Sequence, residues 1–233
     1  MEDDAEAYKQ MFYDIADNAL GITSSVRARF DHRKIVNRCV EGVLRHSLLE
    51  GRVDLEQDRL GRGNPSFVGA KHVAEIIRTV AVGVDGRIGK RLEDELQEGV
   101  LVENTNRFFD TLLAAFPQLA EVADGELEPE VLRKTSLLGS TTMLRVLAGT
   151  YHALTEEEWQ DEDIAAFFAE LEPYTAAPVK EASPWVSQIP EDIFTPGASA
   201  PTARRQDLKR LTETLRAWAL HRPAWLAERE LVA

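Results

Sequence analysis

The residues with most capacity for chemistry lie between Ser24 and Asn64. Arg27, Arg29, Arg33, Lys34 and Arg38 crowd together with only Asp31 against them, and Arg59 and Arg62 follow. Guanidinium and ammonium groups arranged in this way contact phosphate oxygens. Such contacts give salt-dependent affinity for nucleic acid and fix register without reading sequence. Support for bond-making chemistry is thinner. The run Gly83–Arg91, GVDGRIGKR, has five residues between Gly83 and Gly89 where a phosphate loop needs four, and Lys90 is followed by Arg91 rather than Ser or Thr. Ser140 has no base near it in sequence and no nucleophile-elbow pattern. The acidic run Glu156–Asp163 lacks the alternation and glycine of a calcium loop, so it reads as a solvated helix start. His72 reads as a structural histidine beside an apolar face. The single cysteine, Cys39, excludes a disulfide framework and a thiolate zinc site. No cofactor or metal is expected, and binding is favoured over catalysis.

The charge is unevenly distributed. The 233 residues sum to −13, yet residues 24–91 hold 14 Lys/Arg against 8 Asp/Glu, while residues 92–203 hold 5 against 22. A basic region followed by a strongly acidic one can mark a nucleic-acid face, although uneven solvated helix surfaces give the same count. The acidic start, MEDDAEAYK, has no apolar stretch of the signal-peptide kind. No apolar run approaches the ~18 residues of a membrane span. A cytoplasmic protein with no membrane partner is expected.

The elements that must position the cations are mostly helical. Tyr8, Met11, Phe12, Ile15 and Ala19 recur at helical spacing over residues 3–19, with Asp3 and Asp4 suiting the first turn and Gly21 the stop. Ser24 and Ser25 are candidate caps for a short basic segment. Ile35, Val36, Cys39, Val40, Val43 and Leu44 predict a helix over 32–46, which sets Arg33 and Lys34 near its N-terminal half, where the dipole disfavours cations. Val53 and Leu55 alternate with charged residues between Gly51 and Gly61, predicting a short strand or extended loop near 51–60. Helices are predicted from Ser66 to Val82, over 90–116 (one, or two joined near Gly99), from Pro129 to Lys134, over 137–154 as the central buried helix, from Ile164 to Leu171, and over about 203–220. Gly139, Ser140 and Gly149 would allow close helix approach. Six of the ten prolines fall in 173–203, an irregular excursion laid on the body by Trp185, Ile189, Ile193 and Phe194. The predicted fold is mainly α: a bundle-like helical domain over 1–172, the Pro-rich excursion 173–203 packed on it, and a C-terminal helix and tail over 204–233.

Three blocks carry a resemblance. YKQMFYDIADNA (Tyr8–Ala19), TSSVRARFDHRKIVNR (Thr23–Arg38) and GRVDLEQDRLGRGNPSF (Gly51–Phe67) stand in the order and spacing of the later part of the DndB, or DGQHR-domain, family of DNA sulfur-modification proteins. Looser similarity runs through residues 137–154. In that family a ParB-like portion with the DGQHR signature comes first. This sequence has no such signature, so it resembles the C-terminal helical part: a short paralogue, a fragment, or a chain begun at an internal methionine. No catalytic residue carries over. The resemblance implies DNA-linked work, as a DNA-binding regulator of phosphorothioation operons, and its relatives in deazaguanine systems are associated with ATP use.

The expectation is a DNA-binding regulatory protein of a phosphorothioation-type system, with Arg27, Arg29, Arg33, Lys34, Arg38, Arg59 and Arg62 on phosphates. A second possibility is an interaction subunit that does not touch DNA but binds DNA-modification proteins or another copy of itself. An ATPase or nuclease component ranks last.

Overall fold

A computed structural model describes residues 22–227 apart from Arg62 and Glu191, together with Tyr8, Gln10, Met11, Asp14 and Ile15. Its helices are α1 (Ser24–Phe30), α2 (Ile35–Val43), α3 (Ala70–Val82), α4 (Lys90–Glu95), α5 (Glu98–Ala115), α6 (Pro117–Asp124), α7 (Pro129–Thr135), α8 (Thr141–Glu156), α9 (Asp161–Leu171), α10 (Pro184–Ser187), α11 (Arg205–Leu220) and α12 (Ala224–Ala227). Among the described residues the only strands are β1 (Val53–Asp54) and β2 (Val68–Gly69), a parallel pair with Val53 opposite Val68. The protein is mainly α, with the extended segment where the alternation near Val53 places it.

Two helices hold the centre. α3 packs against α1, α2, α5 and α8, while α8 also packs against α11. α8 is buried at Met143, Leu144, Val146, Leu147, Tyr151 and Leu154, so apolar surface covers much of its circumference. Gly149 lets α11 approach: a Cβ there would fall on Val84 Cγ2 and lie 3.0 Å from Thr212 Oγ1. Pro117 and Pro129 open α6 and α7 at positions where a missing N–H costs nothing.

Several boundaries differ from those the periodicity predicts. The helix expected from Ser66 starts at Ala70, because Phe67 and Val68 are fully buried and Phe67 N donates to Arg52 O at 2.6 Å, which holds Val68–Gly69 extended. The break between α4 and α5 falls at Leu96 and Gln97, not at Gly99. Leu96 turns extended (φ −77, ψ 143) and packs against the core, while Gly99 stays exposed in the first turn of α5. Of the apolar face predicted near the N-terminus, Tyr8, Met11 and Ile15 are helical but exposed, and Phe12 and Ala19 lie outside the described residues. Among the described residues of that segment the polar Gln10 is half-buried, and its Oε1 accepts from His32 N at 3.2 Å.

Within 173–203, Trp185 is 1% exposed. Its Nε1–H donates to Tyr174 O at 2.6 Å, and its ring centroid lies 5.5 Å from Phe194 and 6.1 Å from Trp218 of α11. Ile189, Ile193 and Phe194 are buried with it in the same core.

Candidate functional site

The basic stretch is built from two short helices whose N-termini are already occupied by carboxylates. Thr23, rather than the expected Ser24 or Ser25, caps α1: its backbone is extended and its Oγ1 accepts from Val26 N at 3.3 Å. Ser25 is buried and its hydroxyl donates instead to Gln57 O at 2.7 Å. Ser25 N donates to Asp58 Oδ1 at 2.8 Å, and Thr23 Oγ1 donates to Glu56 O at 2.5 Å. The loop 56–58 is thus tied to the start of α1, which brings Arg59 to the same part of the molecule as the α1 cations. Against a burial effect in the opposite direction, the amides of Ser24 and Ser25 hold the Asp58 carboxyl below its usual range.

α2 begins at Ile35, not 32, and Glu93 of α4 reaches across to accept from Ile35 N at 2.6 Å. That carboxylate complements the positive end of α2 and relieves the dipole conflict expected for Arg33 and Lys34. Arg27 and Arg29 lie in the last turn of α1, where the dipole favours cations. Neither helix start is open to an outside phosphate, so contact with one must come from side chains.

Those side chains differ in how far they are engaged. Arg27, Lys34 and Arg59 are exposed. Arg29 lies over the Phe30 ring at 5.1 Å, with its Nε buried and without a hydrogen-bond partner. Arg33 pairs through Nε with Asp31 at 2.6 Å and lies 3.9 Å from Asp14. Arg38 donates through Nη1 to His32 O at 2.9 Å and pairs with Glu98 at 3.4 Å. Arg62 is outside the described residues. The Arg33–Asp14 and Arg38–Glu98 pairs are solvent-accessible and worth ~0–1 kcal/mol, so they can be exchanged for phosphate contacts, whereas the Asp31 partner of Arg33 is buried.

Behind this face lie two adjoining cavities. One, of about 440 Å³, has Lys34, Val36, Ala74 and Ile88 among its walls. The other, of about 280 Å³, is lined by Arg78, Arg87, Arg145 and Arg205. Arg78 and Arg87 border both. Sequence reasoning missed this cluster: its four arginines come from α3, the following loop, α8 and α11, and no local spacing joins them. The imperfect phosphate loop Gly83–Arg91 supplies Arg87 and Ile88 to the walls, and its Gly86 carbonyl accepts from Arg78 Nη1 at 2.6 Å.

The remaining polar clusters are structural. His46 Nδ1 accepts from Leu48 N at 3.2 Å, which leaves Nε2–H to donate to Asp110 at 3.0 Å; no hydroxyl or thiol is hydrogen-bonded to either nitrogen among the described residues. Arg107 and the Tyr151 hydroxyl both bind Asp161, each at 2.7 Å, which fastens α9 to α5 and α8. Burial, reinforced by Glu98, pushes the Cys39 thiol up to about 12, so it is not a thiolate at neutral pH. His72 is kept neutral by burial, and its Nδ1 has no hydrogen-bond partner. Among the described residues no group of three or more His, Cys, Asp or Glu could hold a metal, and no helix is long and apolar enough to cross a membrane.

The family model of DndB, described as DNA-sulfur modification-associated, matches residues 1–172. The chain belongs to the DndB family. The match spans the basic stretch and every helix through α9, and stops short of α11. No curated protein and no solved structure matches the chain. Membership in the DndB family ties the chain to DNA sulfur modification, and of the seven cations expected to bind DNA it covers all, including Arg62.

Proposed function

We propose that this DndB-family chain is a DNA-binding regulatory protein of a phosphorothioation-type modification system. The observation that carries the reading is the exposed basic surface formed where loop 56–59 is tied to α1, next to Lys34 and Arg33 at the start of α2. Both helix N-termini there are satisfied internally by Asp58 and Glu93, so the guanidinium and ammonium groups are the part of the surface available to phosphates. The acidic half of the chain would repel a duplex, which favours approach from the basic side. Arg27, Arg29, Arg33, Lys34, Arg38, Arg59 and Arg62 would supply positioning contacts with no base readout of their own.

The test is a mobility-shift titration across salt concentrations. The double substitution Arg27→Ala/Arg33→Ala is expected to weaken duplex binding for all sequences and to flatten the log–log salt slope by about two. Absence of any duplex binding by the intact protein at low salt refutes the proposal.

A further inference from the structure

The arginine-lined cavity gathers four like charges from separate parts of the chain. Arg78, Arg87, Arg145 and Arg205 line a space of about 280 Å³. Two carboxylates offset them in part. Arg145 Nη1 pairs with Glu75 at 3.3 Å, and Arg205 binds Asp85 through Nε at 3.0 Å and the Asp85 carbonyl through Nη2. Asp85 is also shared with Lys209 at 3.0 Å. The balance stays positive. Arg87 is exposed and has no hydrogen-bond or ion-pair partner among the described residues. Arg145 has a side chain only 21% exposed, and its Nε is buried without a partner. A buried donor without an acceptor costs stability, and so do neighbouring like charges. Burial, and after it the nearby Arg145, holds Arg78 below the ordinary arginine range. A dianion with several oxygens in the cavity would supply the missing acceptors and the missing charge.

The adjoining cavity of about 440 Å³ presents a different surface: Val36, Ala74 and Ile88 beside Lys34, Glu75 and Asn37. Cavities of this size and mixed character suit small molecules rather than a polymer face. We propose that the two cavities together bind a small phosphate ester. Its phosphate is held by Arg87, Arg145 and Arg205 with Arg78 at the junction, and its organic part lies against Val36, Ala74 and Ile88. A guanidinium fork pairs two oxygens of a carboxylate or a phosphate alike, but several forks around one cavity call for more acceptor oxygens and charge than a single carboxylate has, which suits a terminal phosphate. None of the four arginines belongs to the DNA-binding surface, although Lys34 of that surface borders the adjoining cavity.

Isothermal titration of the full chain with adenosine 5′-monophosphate, with inorganic phosphate and with a short duplex tests the inference. The nucleotide is expected to bind saturably, and more tightly than inorganic phosphate. Arg87→Ala, which removes a partnerless exposed side chain, should weaken it by about tenfold or more, as loss of one charge-assisted contact does. Arg145→Lys should also weaken it, because the charge stays and the fork is lost. Arg27→Ala/Arg59→Ala should leave nucleotide affinity unchanged while reducing duplex binding. The inference is overturned by no saturable binding of either phosphate compound up to about 10 mM, or by unchanged affinity in Arg87→Ala with native circular dichroism. Equal affinity for inorganic phosphate and the nucleotide overturns the placement of an organic part. Competition between duplex and nucleotide that persists in Lys34→Ala assigns the arginines to DNA and overturns the small-molecule site.

Discussion

Replacing Trp185 tests whether the proline-rich excursion belongs to the same cooperative unit as the helical body. The indole is 1% exposed and bridges Phe194 on its own segment to Trp218 on α11. Truncation to alanine removes a buried ring and leaves a cavity that Phe194 and Trp218 cannot both collapse into. The expected loss is ~3–5 kcal/mol. Phenylalanine keeps most of the apolar contact but gives up the bond from Nε1 to the Tyr174 carbonyl at 2.6 Å. Its expected cost is ~1–2 kcal/mol, one hydrogen bond plus the smaller ring. Urea unfolding followed by far-UV circular dichroism measures both. The transition midpoints should fall in the order wild type, Trp185→Phe, Trp185→Ala, with the slope unchanged. A loss below ~1 kcal/mol in Trp185→Ala, or a separate early transition, would mean that residues 173–203 rest on the body without contributing to its cooperative stability.

Two further outcomes concern single groups. Although burial acts in the other direction, Asp54 is held below the usual carboxyl range by the amides of Gln57 and Glu56 and by the Asn64 side chain, at 2.8, 2.9 and 2.7 Å. Its folded pKa is depressed, so its contribution is present above the unfolded value near ~4 and is lost as pH falls through the lower folded value. Hydrogen exchange at Glu56 and Gln57, corrected for intrinsic rates, should speed up over that window, and Asp54→Asn should abolish the change; flat protection on acidification contradicts the assignment. Cys39, buried with its thiol pushed up to about 12, should react with a disulfide reagent at neutral pH only as fast as the protein opens. Labelling at the rate of a free thiol would show that the α2–α5 contact is looser than described.

The sequence was informative wherever burial follows a local period. The inward faces of α2, α3, α8, α9 and α11 were legible from apolar spacing, and Pro129 marked the start of α7; Pro117 reads only as the end of the helix before it, so α6 was not expected. Positions decided by distant partners were not. Nothing near Ile35 announces that Glu93 will cap it, so the relief of the dipole conflict at Arg33 and Lys34 comes from a partner that local spacing does not show. Tyr8, Met11 and Ile15 read as an inward face, yet among the described residues of that segment Gln10 and Asp14 are the ones seen to meet the body. Likewise Arg78, Arg87, Arg145 and Arg205 are spread over more than half of the chain, and only the packing of α3, α8 and α11 converts them into one cavity. The Gly83–Arg91 loop failed as a motif but still lies beside that cavity, because its position follows from the end of α3 rather than from its glycines.

Gly149 has a consequence for the order in which the chain is made. α8 leaves the ribosome well before Arg205–Leu220, so the trough that Gly149 opens for Thr212 stands empty during synthesis, and Arg145 waits without the helix that closes its cavity. A chain interrupted before Arg205 would carry that apolar trough permanently into water. Until α11 is made and docks, that surface stays open to water, the condition in which chaperones and proteases engage an unfinished domain.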